Sequence, residues 1–114
     1  MGNPNGVKGA AFERAVVAYL RDHGFPHADR AYGAGRNDDR GDIDGFPGVV
    51  WELKNHARFD LATWMDEVRG EQANAHAQYG VVVAKRRQHP IGRAYVICEL
   101  EQFTRLLFER EQLA

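Results

Sequence analysis

The segment GDIDGFPGVVWELKN, residues 41–55, sets Asp42, Asp44, Glu52 and Lys54 within a few positions of Val49, Val50, Trp51 and Leu53. Pro47-Gly48 at its centre is turn chemistry, so the segment reads as a hairpin. Side chains alternate across a strand. Val49, Trp51 and Leu53 therefore share one face, and Val50, Glu52 and Lys54 share the other. The first face is ordinary core. The second carries two opposite charges, which either turn to solvent on a half-exposed strand or hold something.

With the turn centred near Pro47, Asp42 lies across from Glu52 on the same face. Like charges directly opposite destabilise a strand pair by roughly 0.2–1 kcal/mol, so this register gains from a cation between them. A one-residue slip moves Asp42 to the other face. Oxygen-only ligation suits Mg²⁺, with Mn²⁺ as a substitute. The close Cys and His pairs that zinc favours are missing. Lys54 beside such an ion orients an attacking water or neutralises charge on phosphorus. That combination is the chemistry of metal-assisted phosphodiester hydrolysis.

Outward from the hairpin, hydrophobic spacing orders the chain. Residues 8–23, KGAAFERAVVAYLRDH, read as a helix with Phe12, Ala15, Val16, Tyr19 and Leu20 on one stripe. Gly24 and Pro26 end it, and Pro26 also rules out His23 and His27 as a helical metal pair. Residues 28–33 read as a short strand and 33–41 as a mobile loop. Residues 60–78 read as a helix capped by Asp60, with Leu61, Trp64, Met65, Val68 and Ala75 as its apolar stripe. Strands follow at 79–85 and 94–99. The closing helix carries Leu100, Phe103, Leu106 and Leu107, a core or a dimer face. Helix, three strands, helix, two strands, helix describes an α/β sandwich with a mixed sheet. Residues 1–7 read as a flexible tail and 8–114 as one domain.

The chain has 114 residues, is 44% hydrophobic and carries a formal charge of −1. It therefore lacks the basic excess usual in a nucleic-acid-binding domain. The charge is uneven, however. No Asp or Glu occurs between Glu71 and Glu99, a block holding Lys85, Arg86, Arg87 and Arg93, while Arg30, Arg36 and Arg40 sit beside the hairpin. Such groups form either a solvated surface or patches that steer a polyanion. Cys98 is the only cysteine, so no internal disulfide forms, as fits a reducing compartment. No apolar run approaches the roughly 20 residues that span a bilayer, and the first residues lack a signal-peptide core. The expectation is a cytoplasmic protein without membrane contact.

G-D followed ten residues later by E-x-K resembles the signature of the PD-(D/E)xK nuclease superfamily. Within it, the chain is similar to archaeal-type Holliday-junction resolvases and small resolvase-like nucleases of bacteriophages. The likeness begins at KGAAFERAVVAYLRDHGF, continues through GDI and WELKN, and runs on to QANAHA and VVVAK, covering most of residues 8–98. It implies a restriction-endonuclease-like α/β/α core with a mixed central sheet flanked by helices. It also implies a Mg²⁺-dependent endodeoxyribonuclease, in the host cytoplasm if phage-encoded. Carried over by position, the catalytic set is Glu13, Asp42, Glu52, Lys54 and Gln72, with Asp42, Glu52 and Glu13 around the metal. Asp44, two residues on, is an alternative or additional ligand. Arg30, Arg36, Arg40, Lys85, Arg86 and Arg87 are the candidate DNA contacts. Asp38 and Asp39 depart from the family, whose relatives often show Ser there. Resolving a four-way junction needs two symmetric cuts, so the resemblance implies a homodimer. The alternatives are a repair or restriction-like nuclease acting on linear or flapped duplex, and a non-catalytic DNA-binding module.

Overall fold

The computed structural model describes residues 4–31 and 39–114. In chain order the elements are α1 (Pro4–Asp22), β1 (Asp29–Arg30), β2 (Ile43–Asp44), β3 (Val49–Lys54), α2 (Leu61–Ala75), β4 (Tyr79–Ala84), a single 3₁₀ turn at Ile91–Arg93, β5 (Tyr95–Ile97) and α3 (Leu100–Leu113). The order of helices and strands is the one that the hydrophobic spacing indicates. Helix α1 starts earlier than expected, at Pro4, so the helix takes up part of the expected tail and residues 1–3 lie outside the described residues. Proline suits a first helical position, where its missing N–H has no intrahelical acceptor to lose.

The fold is mixed α/β with two small sheets. One is three-stranded in the order β3-β4-β5, parallel between β3 and β4 and antiparallel between β4 and β5. The other pairs β1 with β2, antiparallel. The hairpin expectation needs correction here. Among the described residues no ladder joins β2 to β3; β2 pairs with β1, and β3 finds its partner in β4. One backbone hydrogen bond links the two arms, from Asp42 N–H to the Trp51 carbonyl at 2.7 Å.

Strand β3 is covered on both faces, which explains why its apolar residues run on consecutively. Trp51 and Leu53, with Val81 and Val83 of β4, pack on Phe12, Val16 and Val17 of α1. Val82 and Ala84 pack on Trp64 and Val68 of α2. Asp60 caps α2 by accepting from Thr63 N–H at 3.4 Å. Helix α2 lies close to the sheet because Gly80 has no side chain. A Cβ there would stand 2.4 Å from Val68 Cγ1 and 2.6 Å from Gln72 Oε1.

Helix α3 differs from α1 and α2. Its one buried residue is Gln102, whose Oε1 accepts from Gly80 N–H at 2.8 Å. Leu100, Phe103, Leu107 and Phe108 are exposed, so the apolar stripe is not core. Among the described residues, no helix is long and apolar enough to cross a membrane.

Candidate metal centre

The site lies at the carboxyl end of β3, beneath α2. Glu52 points to the α2 face between Val50 and Lys54, as strand alternation requires, and is 8% exposed. Asp42 reaches it from the short segment before β2. That approach depends on Gly41, which has φ +97° and lies so close to β3 that a Cβ would stand 2.9 Å from the Trp51 carbonyl oxygen. Asp42 is then fixed twice, by its own N–H to Trp51 and by Leu53 N–H donating to its Oδ2 at 2.7 Å. We expect Gly41→Ala to lower stability by about 2 kcal/mol, since both the backbone conformation and the close approach forbid a side chain. A urea midpoint unchanged by the substitution would remove this account of how Asp42 is placed.

A third carboxylate comes from α2. Glu71 is only 4% exposed and interacts with Glu52, while Asp39 stands beside it. One ligand oxygen from each of Asp39, Glu52 and Glu71 lies within 4.8 Å of the other two. An octahedral Mg²⁺ with bonds of about 2.1 Å spans about 4.2 Å between opposite oxygens, so small side-chain movements suffice to enclose one. Exposed acidic groups often cluster without an ion; here two of the three are buried.

Crowding shows in the proton affinities. Burial, then the neighbouring Glu52 carboxyl and its charge, push Asp42 from an ordinary 3.8 to about 8, against the Leu53 N–H bond. Burial and then Glu71 push Glu52 up to about 8, and burial and nearby acidic groups lift Glu71 to about 7. Carboxylates in this state bind either protons or cations.

Lys54 occupies the same strand face as Glu52. Its Nζ donates to Glu67 Oε2 at 2.7 Å and lies 5.9 Å from the Trp64 ring centroid. Burial works against its charge, but the Glu67 hydrogen bond and the field of Glu52, Glu67 and Asp42 outweigh it, so the ammonium is held above the ordinary lysine range.

The remaining expected residues are distributed as follows. Glu13 of α1 lies near enough to act on Asp42 electrostatically, but its Oε1 receives both Nε and Nη2 of Arg30, at 3.1 and 2.9 Å. Arg30 therefore holds Glu13, whatever else it touches. Gln72 sets its amide over Gly80. Glu71, its neighbour, is the α2 residue that interacts with Glu52. Asp44 pairs in register with Asp29 and lines a cavity with His27, Arg40 and Phe46. Lys85 N–H bonds the Lys54 carbonyl at 2.9 Å, so the basic block begins at the site's end of the sheet. Arg86 stacks over Tyr95, and Arg87 borders a groove with Lys8, Asn55 and His56. Arg36 lies outside the described residues.

Of the two cluster residues outside the expected set, Asp39 and Glu71, the second had a signal in the sequence. Trp64, Val68, Glu71 and Ala75 are spaced four, three and four apart, so Glu71 falls on the apolar stripe of α2. A charge there is either paired or held near a cation.

Comparison with protein-family models, with curated proteins and with solved structures gives no match to this chain.

Proposed function

We propose that this chain is a Mg²⁺-dependent endodeoxyribonuclease of the PD-(D/E)xK type, with a restriction-endonuclease-like core, acting on branched DNA as a symmetric homodimer. The observation that carries this reading is the meeting of Asp42 and Glu52 from separate segments, with Lys54 on the same face of β3. Asp42 and Glu52 would hold the cation, and the chemistry of the donor set fits, being all oxygen and partly buried. A divalent ion bound there would lower the pKa of a water and draw charge from the scissile phosphate. Lys54 holds its proton firmly, so it acts as a fixed positive charge toward the phosphoryl oxygens rather than as a base. Glu67, partly exposed, positions that ammonium. Glu13, paired with Arg30, borders the centre and adds negative field.

Lys85, Arg86 and Arg87 lie at the same end of the sheet and would hold the DNA backbone. Affinity should therefore fall steeply with salt. Preference for branches would come from the shape and deformability of the DNA. The exposed apolar side of α3, with Leu100, Phe103 and Phe108, supports a second copy as partner.

The test compares a synthetic four-way junction with its linear arms, with Mg²⁺ or with EDTA. We expect paired symmetric cuts in the junction, at least tenfold faster than cutting of the arms, and none with EDTA. Equal cutting of both would replace junction resolution by a repair or restriction-like activity. DNA binding without any cutting would make the chain a binding module.

A further inference from the structure

We propose that the cavity between α1 and the end of β3 is a phosphate subsite, in which Lys8, Asn55, His56 and Arg87 hold one phosphodiester of the DNA strand beside the scissile one. The identity of the strand rests on the nuclease reading; the pocket and its preference for phosphate do not.

The cavity holds about 360 Å³, with Lys8 of α1, Leu53, Asn55 and His56 at the end of β3, and Arg87 beyond β4 in its wall. That is the small end of the range for ligand pockets, enough for a phosphate and part of its flanking sugars. No acidic side chain lines it, although acidic residues outnumber Lys and Arg in the chain by 16 to 15. Among the described residues, Arg21, Arg30, Lys54, Arg69 and Arg105 pair with carboxylates, whereas Lys8 and Arg87 do not. Two cations facing one cavity repel each other, and both gain from an anion placed between them.

Asn55 is the second observation. Its Oδ1 is enclosed and receives no hydrogen bond among the described residues. The amide is therefore not tied to its own protein, and its NH₂ group can turn toward an oxygen anion. His56 offers one ring N–H in either neutral tautomer. Ammonium, guanidinium, amide and imidazole together supply donors, and the oxygens of a phosphodiester only accept.

The position of the cavity links it to the carboxylates. Lys54 and Asn55 are consecutive and serve opposite sides of the strand end, Lys54 with Glu52 toward α2 and Asn55 with Leu53 in the cavity wall. Trp64 joins the two sides. The His56 ring centroid lies 5.5 Å from that of Trp64, and Lys54 Nζ lies 5.9 Å from the Trp64 ring centroid. A strand laid across this end of the sheet meets the carboxylates and the cavity in succession.

The test measures binding of a fluorescent DNA duplex in EDTA at several salt concentrations, for wild type, Lys8→Gln, Arg87→Gln, the double variant and Arg93→Gln. All three positions are exposed, and Arg93 is the control, in the turn whose Gly92 faces Tyr19 at the other end of α1. Each cavity variant should bind about fivefold more weakly and the control should match wild type. Because both side chains hold the same phosphate, the double variant should lose less than the product of the single losses. Its salt slope should fall by about 1, the value for one phosphate, and not by about 2. Duplexes with 5′-hydroxyl and with 5′-phosphate ends should give the same losses, as a backbone phosphate requires. Inorganic phosphate added to the protein alone should shift the amide resonances of Gly9, Asn55 and His56, where chloride at equal ionic strength does not. Wild-type affinity in Lys8→Gln, multiplicative losses with a slope change of about 2, or losses confined to 5′-phosphorylated duplex would overturn the subsite. Those results would leave Mg²⁺-dependent cutting by wild type untouched. Coupled losses in a wild type that cuts no DNA would uphold the subsite and remove the nuclease reading.

Discussion

Glu52→Ala is expected to abolish Mg²⁺-dependent DNA cleavage, reducing the single-turnover rate by more than about 10³-fold. Glu52 is the carboxylate that touches both of its acidic neighbours, Asp42 on one side and Glu71 on the other. Its loss therefore strips a ligand from every cation arrangement the site allows. Lys54→Ala should cost less, roughly 10²–10³-fold, because it removes one charge that acts on the phosphate and leaves the carboxylates in place. DNA binding should survive both changes, since the backbone contacts are assigned to Lys85, Arg86 and Arg87. Misfolding is separable from lost chemistry. Glu52 is a buried carboxylate crowded by like charges, so the metal-free Glu52→Ala variant should melt no lower than wild type at pH 8. Wild-type cleavage rates in Glu52→Ala would end the hydrolase reading.

The elements of this fold were legible because each satisfies one period along its length. Helix α2 repeats Trp64, Val68 and Ala75 at helical spacing, and Asp60 supplies its cap. Strand β3 separates Trp51 and Leu53 from Glu52 because both of its faces are covered, so alternation translates directly into two environments. Pairing was not legible in the same way. The turn residues at Pro47-Gly48 suggest that the strands on either side pair with each other, yet hydrogen bonds along β3 go to β4, about thirty positions on. Only three-dimensional packing of α2 across the sheet decides that. Periodicity likewise marks the apolar side of α3 but does not say whether anything covers it. At the site, Asp42, Glu52 and Lys54 stood out through the clash of charge and apolar neighbours in one short segment. Glu71 was obscured because an acidic residue in a helix usually faces water, and Gln72 drew notice through its place near the apolar stripe and through the resemblance. A single helical step of about 100° separates these two neighbours, and it places one over the carboxylates and the other over Gly80.

Without divalent cations, this protein should become less stable as the pH rises from about 5 to 8.5. A carboxyl whose folded pKa lies above its unfolded value binds more protons folded than unfolded across the interval between the two. Asp42 and Glu52, at about 8, and Glu71, at about 7, are all raised above ordinary values near 4 by burial and by one another. Their contribution is fully present below about pH 4 and is lost as the pH climbs through 7 and 8. The loss should be on the order of 3 kcal/mol, which for a domain of this size lowers the melting temperature by roughly 10 °C. Divalent cations compete with those protons, so 10 mM Mg²⁺ should restore most of the loss at pH 8.5 and change little at pH 5. Glu52→Gln should flatten the pH dependence and weaken the response to Mg²⁺ together, because one group lies at the centre of both. The measurement is a set of thermal melts at four pH values, each with EDTA and with Mg²⁺. A metal-free melting temperature that rises steadily to pH 8.5, or a Mg²⁺ response equal at both ends of the range, would show that these carboxylates do not share a common site.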